Sequence, residues 1–217
     1  MEYKDNDFVK VNFDIYANSK LVQTTNEKKG KDAKLNIKEY GPQTIIVGKA
    51  FILKALDEAI KKTQKGTLSL KPELAYGKRK KELIKTFPKS SFDEQKLRPV
   101  VGITYDFNGM YGTVKSIVGG RVMVDFNNPL SGKDIKIDYV VDKKVDDICD
   151  KLSVVLESIL RIPKTAFKLS AKDKVVTLTA PEQITKMAEP LSKAFIEVVP
   201  EFKDYKLKTE VMNVKAK

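Results

Sequence analysis

Reactive side chains are scarce in this chain. It has no histidine and one cysteine, Cys149. A Ser-His-Asp triad, a Cys/His zinc site and an internal disulfide are therefore excluded. Any chemistry must rest on apolar and aromatic surface, backbone groups and hydroxyls. One hydroxyl stands out. Tyr76 lies in Pro72-Glu-Leu-Ala-Tyr-Gly-Lys-Arg79, where a Tyr-Gly turn ends an apolar strand. A ring at such a turn is expected half exposed. The chain does not turn back after Arg79. Lys81-Glu-Leu-Ile-Lys-Thr-Phe-Pro-Lys-Ser-Ser-Phe92 starts a new apolar run, which reads as the entry to an inserted domain. Cys149 falls on the apolar face of a helical pattern and reads as a small core residue rather than a reactive thiol.

Composition bounds what can carry those residues. Hydrophobic residues make up 41% of the 217, enough for a substantial core in one large domain or two to three small ones. The net charge is +12, mostly from lysine. That excess fits a solvated Lys-rich surface, and it leaves open a ribosomal or nucleic-acid surface. No run approaches the roughly 18 apolar residues that span a bilayer. The start, Met1-Glu-Tyr-Lys-Asp-Asn-Asp7, is polar and unlike a signal peptide. A soluble cytoplasmic protein without membrane contact is the expectation.

The elements that must position Tyr76 follow from periodicity. Phe8 to Tyr16 alternates as a half-buried strand. Leu21-Val22 resumes the sheet, Thr24 to Asp32 reads as a polar loop, and Thr44 to Val47 as a short strand. Apolar residues at 51, 52, 55, 56, 59 and 60 predict a helix over Phe51–Ile60, closed by Lys65-Gly66. Thr67–Leu70 leads to the Tyr76 turn. Pro99 to Phe107, Gly112 to Val118 and Arg121 to Phe126 predict three short strands joined at Asn108-Gly109 and Gly119-Gly120. Asp134 to Val141 alternates again and returns to the first sheet. Val145, Ile148, Cys149, Leu152, Val155, Leu156, Ile159 and Leu160 mark a helix of about 18 residues. Its apolar face could pack on the first domain, on the tail or on a second copy, so a homodimer through the tail stays open. Strands at 166–169 and 175–178, a helix from Pro181 to about Val198 with a break at Pro190, and a strand from Tyr205 to Val214 complete the chain.

Four segments resemble the FKBP family of peptidyl-prolyl isomerases in its SlyD-like branch, which carries an insert in the flap. Ser19-Lys-Leu-Val-Gln-Thr-Thr25 is similar to the family's Gly-Lys-Val-Phe-Asp-Thr-Thr. Ile46 to Ile60 is similar to its Val-Gly-x-x-x-Leu-Ile-Pro-Gly-Phe-Glu-Glu-Ala-Leu. Pro72 to Gly77 matches Pro-x-x-Ala-Tyr-Gly. Asp125-Phe-Asn-Asn-Pro-Leu-Ser-Gly-Lys133 resembles the insert-closing motif with two substitutions. The resemblance covers about residues 6 to 141; long archaeal-type members carry a further C-terminal domain. It implies an α+β fold in three parts. An FKBP-like antiparallel sheet wraps one helix (1–82 and 129–141), a small all-β domain is inserted (83–128), and a β-β-α-β domain with a leading helix follows (142–217).

The resemblance also implies a reaction that needs neither cofactor nor metal. Resonance holds an Xaa-Pro amide planar behind a high barrier, and twisting it reduces charge separation. An apolar bowl therefore favours the twisted state. Position by position, the resemblance implies that Phe13, Val22, Ile52, Leu53, Leu56, Tyr76 and Ile137 form this bowl. The Leu53 N–H and the Tyr76 hydroxyl are its donors to substrate carbonyls. Three positions depart from the family pattern. Gln23 replaces the pocket Asp, Lys54-Ala55 replaces Pro-Gly, and Asn128 replaces a His. Leu56 and Ile137 also stand where aromatics are common. If each lost contact is worth about 1 kcal/mol, activity on short peptides falls by about one to two orders of magnitude. A non-catalytic holdase of the same fold is the alternative.

In the SlyD-like branch the insert binds unfolded chains, and the resemblance implies the same partners here, unfolded or nascent polypeptides. Phe87, Phe92, Val100, Tyr105, Phe107, Met110 and Tyr111 are the client-binding candidates. With Ile84, Val101 and Ile103 they supply more apolar surface than so short a segment can bury, so about half are expected in the insert's own core. The His- and Cys-rich metal tail of some relatives has no counterpart.

Overall fold

The computed structural model describes residues 2–94 and 96–212. In chain order the first elements are β1 (Phe8–Ala17), β2 (Lys20–Thr24), α1 (Glu27–Asp32), β3 (Gln43–Ile46), α2 (Lys54–Lys62) and β4 (Lys65–Leu70). The middle of the chain forms β5 (Ile84–Pro88), α3 (Ser90–Glu94), β6 (Thr104–Phe107), β7 (Met110–Val118) and β8 (Arg121–Asp125). Then come β9 (Ile135–Lys144), α4 (Ile148–Val154), β10 (Lys168–Lys172), β11 (Val175–Ala180), α5 (Glu182–Thr185), α6 (Ala188–Val198) and β12 (Lys206–Val211). The largest sheet has the order β2-β1-β9-β4, with β3 paired antiparallel to β1. Among the described residues no helix is long and apolar enough to cross a membrane.

The chain forms two compact units, Met1–Asp14 with Gln23–Thr67 and Ile137–Lys217, and Ile15–Val22 with Leu68–Lys136. In the first, alternation along β1 buries Val9, Val11 and Phe13. Phe8 and Ile46 join a core with Val145, Leu152, Leu156, Val176, Leu178, Phe195 and Phe202. Most of the apolar helix face that left a homodimer open, from Val145 to Leu156, is thus covered by residues of its own chain, while Ile159 is exposed. β10, β11 and β12 form a sheet in that order, antiparallel and then parallel. In the second unit, β5-β8-β7-β6 is an antiparallel sheet around Phe92, Val114, Val122 and Val124.

Several local expectations are corrected. Glu27–Asp32 is helical, not loop. Asn26 caps it by accepting from the Lys29 N–H at 3.0 Å, and Glu27 pairs with Lys31 one turn on. α2 starts at Lys54, because Ala50 sits at φ +51° and Leu53 is extended. The insert has four strands, the missed one being β5; residues 99–103 form no strand, and Val101 and Gly102 make a turn. The long helix starts only at Ile148, where Asp147 accepts from the Asp150 N–H at 2.8 Å, and it ends in a π-helical turn, Val155–Ile159. The break in the later helix falls at Lys186-Met187. Pro190 lies in the first turn of α6, where no N–H is needed. The final strand runs Lys206–Val211, and the expected extension to Val214 lies outside the described residues.

Candidate active site

In the first unit, the period-2 pattern of β1 turns Phe13 inward, 3% exposed, and puts Asn12 and Asp14 on the opposite face. Leu56 on α2 and Ile137 on β9 are fully buried, Leu53 is nearly so, and Ile52 and Gln23 are half-buried. Leu53 occupies the N-cap of α2 and offers no side-chain acceptor to the first turn. The segment before it is held by Asp57 instead. Asp57 is buried, and its Oδ2 accepts from the N–H groups of Gly48 at 2.9 Å and Ala50 at 2.8 Å. Its Oδ1 has no partner among the described residues. Burial pushes the Asp57 carboxyl above its ordinary value, although the two amides and Lys61 pull the other way. Gly48 and Ala50 both have positive φ, which costs a non-glycine residue about 1–2 kcal/mol. Asp57 therefore sets the loop that presents Ile52 and Leu53. Sequence reasoning passed it over. Its signal was an acid on the helix face shared by Leu53 and Ile60.

In the second unit, Val22 on β2 and Tyr76 are half-buried. Pro72–Leu74 form a 3-10 turn, and the Gly77 N–H closes it on the Pro72 carbonyl at 2.6 Å with φ +76°. Burial raises the Tyr76 hydroxyl pKa, so it remains a donor at neutral pH. The turn is tied to the insert-closing motif. Ser131 Oγ donates to the Tyr76 carbonyl at 2.9 Å, and the Gly132 N–H donates to the Gly77 carbonyl at 2.8 Å. Arg79 pairs with buried Asp125, whose Oδ1 accepts from the Asn127 N–H and side-chain amide. The Asn127 side chain in turn pairs with both backbone groups of Lys80, at 2.8 and 3.0 Å. The Phe126 N–H donates to the Leu83 carbonyl at 2.8 Å. The two motifs singled out in the sequence are thus two sides of one neck. Arg79, Asp125 and Asn127 are the residues that sequence reasoning had not assigned to it. The substituted position, Asn128, accepts from the Leu130 N–H at 2.8 Å and shapes the same loop.

Beyond the neck, the client-facing candidates divide. Phe92 is buried, and its ring meets Tyr105 and Phe107 edge-on. Phe87 stacks on Phe107 at 5.6 Å. Phe87, Tyr105 and Phe107 are packed against the insert core. The Tyr105 hydroxyl donates to the Arg98 carbonyl at 2.7 Å and accepts from the Val100 N–H at 3.1 Å. Val100, Met110 and Tyr111 are exposed, the last by 69%. Val101, Ile103 and Val118 are also exposed in the same unit. Phe92 is removed from the outward-facing set because the insert uses its ring as a core anchor. Among the described residues no cluster of His, Cys, Asp or Glu could hold a metal ion.

Comparison with known proteins agrees with these motifs. The family model described as "FKBP26, IF domain" matches residues 85–130. The chain is 30% identical over 138 residues to a short-type peptidyl-prolyl cis-trans isomerase of Methanocaldococcus jannaschii, covering 61% of this chain and 88% of that protein. It is 31% identical over 106 residues to the FKBP-type isomerase SlyD of Helicobacter pylori, covering 46% of this chain and 57% of that one. It is 30% identical over 107 residues to an FKBP-type 16 kDa isomerase of Escherichia coli, covering 46% and 72%. With most of the first of these relatives spanned, and the insert matched separately, the chain belongs to the FKBP-type peptidyl-prolyl cis-trans isomerases, in their SlyD-like branch.

Proposed function

We propose that this protein isomerises Xaa-Pro bonds in unfolded or nascent polypeptides in the cytoplasm, and that its insert holds those chains while the pocket acts. The observation that carries this reading is the neck. The Tyr76 turn and the loop that closes the insert are joined by the Ser131 and Gly132 hydrogen bonds, so a client held by the insert stays near the turn. The family motif assigns the pocket to Phe13, Val22, Gln23, Ile52, Leu53, Leu56, Tyr76 and Ile137. Their side chains are mostly apolar, which suits a reaction whose transition state is less polar than its planar ground state. Residues 83–128 are assigned as the client-binding insert, 1–82 with 129–141 as the isomerase domain, and 142–217 as the C-terminal domain. Val100, Met110 and Tyr111, with Val101 and Ile103, are the client surface.

Refolding of a proline-limited substrate tests both parts. Because Leu83 and Phe126 are hydrogen-bonded neighbours, residues 84–124 can be replaced by a short glycine turn. The intact protein is expected to accelerate refolding, and the shortened one to lose about 10–100-fold of that effect through lost effective concentration. Its rate on a short proline peptide should change little. No acceleration by the intact protein at micromolar concentration sinks the isomerase reading and favours the holdase. An equal loss on protein and short peptide sinks the division of labour.

A further inference from the structure

The first unit contains a cavity of about 450 Å³ that the family motifs do not account for. One wall is Phe51 and Ile52, the second being a pocket residue by motif. Another is β3 with the loop before it, Glu39 to Ile45. The third comes from the C-terminal segment and includes Ser153, Glu157 and Lys164. Two properties of these walls point to a ligand. β3 pairs with β1 alone among the described strands, so its outer edge offers unpaired backbone donors and acceptors, the means by which an extended chain is bound. The charges do not balance either. Lys10 pairs with Asp150 at 3.2 Å, and Lys164 approaches Glu39 at 4.0 Å. Glu157 is half-buried and has no hydrogen bond or ion pair within 4 Å among the described residues; it feels only the more distant attraction of Lys164, which Glu39 already shares, and the repulsion of Glu39. Three carboxylates thus face two ammonium groups, in a chain whose net charge is +12. Glu157 sits in the π-helical turn Val155–Ile159, a rare geometry that recurs at functional sites.

We propose that this cavity is a subsite for a polypeptide segment in extended conformation that carries a lysine or arginine, with Glu157 as the carboxylate that selects it. The proposal rests on the isomerase reading only in placing the client's proline beside Ile52. The C-terminal segment then contributes to client choice, because it supplies Glu157. The β3 edge recognises the backbone of any extended chain, and Glu157 favours those with a basic side chain at one position.

Fluorescent proline peptides of one sequence test it, with lysine, glutamine or glutamate placed in turn at each position within about three residues of the proline. Affinity is read by anisotropy at low salt, and isomerisation is followed in parallel. The unmodified protein should bind one lysine peptide about 3–5-fold more tightly than its glutamine counterpart, the range of a half-exposed ion pair. Glu157→Gln should abolish that preference, and Glu157→Lys should turn it toward the glutamate peptide. Glu189→Gln, the same charge change on an exposed helix face paired with Lys193, should keep it. A lysine preference that survives Glu157→Gln, or none at any position, overturns the proposal. Preference without isomerisation refutes the isomerase reading and leaves the subsite standing; isomerisation without preference does the reverse.

Discussion

At the scale of single residues, the loop ahead of α2 depends on one carboxylate. The Asp57 side chain takes two backbone N–H bonds and leaves its other oxygen unpartnered in a buried site. Gly48 and Ala50 are exposed, so water can reach their amides once the acceptor is gone, and each lost bond costs about 0.5–1.5 kcal/mol. Asp57→Ala should therefore lower the midpoint of denaturant unfolding markedly and loosen the Ile52–Leu53 segment. Asp57→Asn keeps one oxygen for both amides and removes the charge. Burial raises the folded-state pKa of Asp57, so the folded protein binds the proton more tightly than the unfolded chain does. Wild-type stability then contains a loss as pH rises from the ordinary carboxyl range through that raised value. The asparagine variant lacks that loss. Its melting temperature relative to wild type should rise across that window and level off above it. A constant difference from acid to neutral pH would show that Asp57 titrates normally.

At the scale of elements, the neck turns two separate sequence motifs into one structure. Asn127 imitates a strand neighbour for Lys80, offering both an acceptor and a donor to its backbone. Asn127→Ala removes both side-chain bonds to the Lys80 backbone and one of the two bonds to Asp125 Oδ1, which keeps the Asn127 N–H, a cost of about 1–3 kcal/mol. The insert core of Phe92, Val114, Val122 and Val124 does not use Asn127. Hydrogen exchange should therefore quicken at the amides of Lys80 and Phe126 while those of β7 and β8 remain protected. Uniform loss of protection throughout the insert would mean that the neck nucleates the insert instead of joining it. The motifs themselves were legible in the sequence because they are local runs, and so was the alternation of β1 and β9. What joins them was not, since Arg79 to Asp125 and Lys80 to Asn127 span more than forty positions. The start of α2 was misread for a related reason. Phe51 and Ile52 continue the apolar period, but the positive φ of Ala50 is held by Asp57 seven residues later. β5 was hidden by Pro88, which a strand at the sheet edge tolerates. α1 was hidden by its charge, since its support is a cap, an ion pair and a buried Gly30 against which the Tyr40 ring packs.

At the scale of the whole molecule, the C-terminal segment is not held by a linker alone. Phe8 and Ile46 belong to the same core as Leu152, Leu156, Phe195 and Phe202, and the Val145 N–H donates to the Phe8 carbonyl at 2.8 Å. Lys144 pairs with Asp7, and the Lys151 ammonium lies 5.8 Å from the centre of the Phe8 ring while pairing with Glu201. A shared core predicts shared opening. Leu152→Ala, at a fully buried position, should cost about 2–5 kcal/mol through lost burial and a residual cavity. If the core opens as one unit, the amides of Phe8, Val9, Ile45 and Ile46 lose hydrogen-exchange protection in step with those of α4 and β11. Insert amides at Val114, Val122 and Val124 belong to a separate cluster and should stay as protected as in wild type. Protection lost in α4 and β11 alone would show instead that the C-terminal segment opens independently, and that β1 and β3 keep their structure without it.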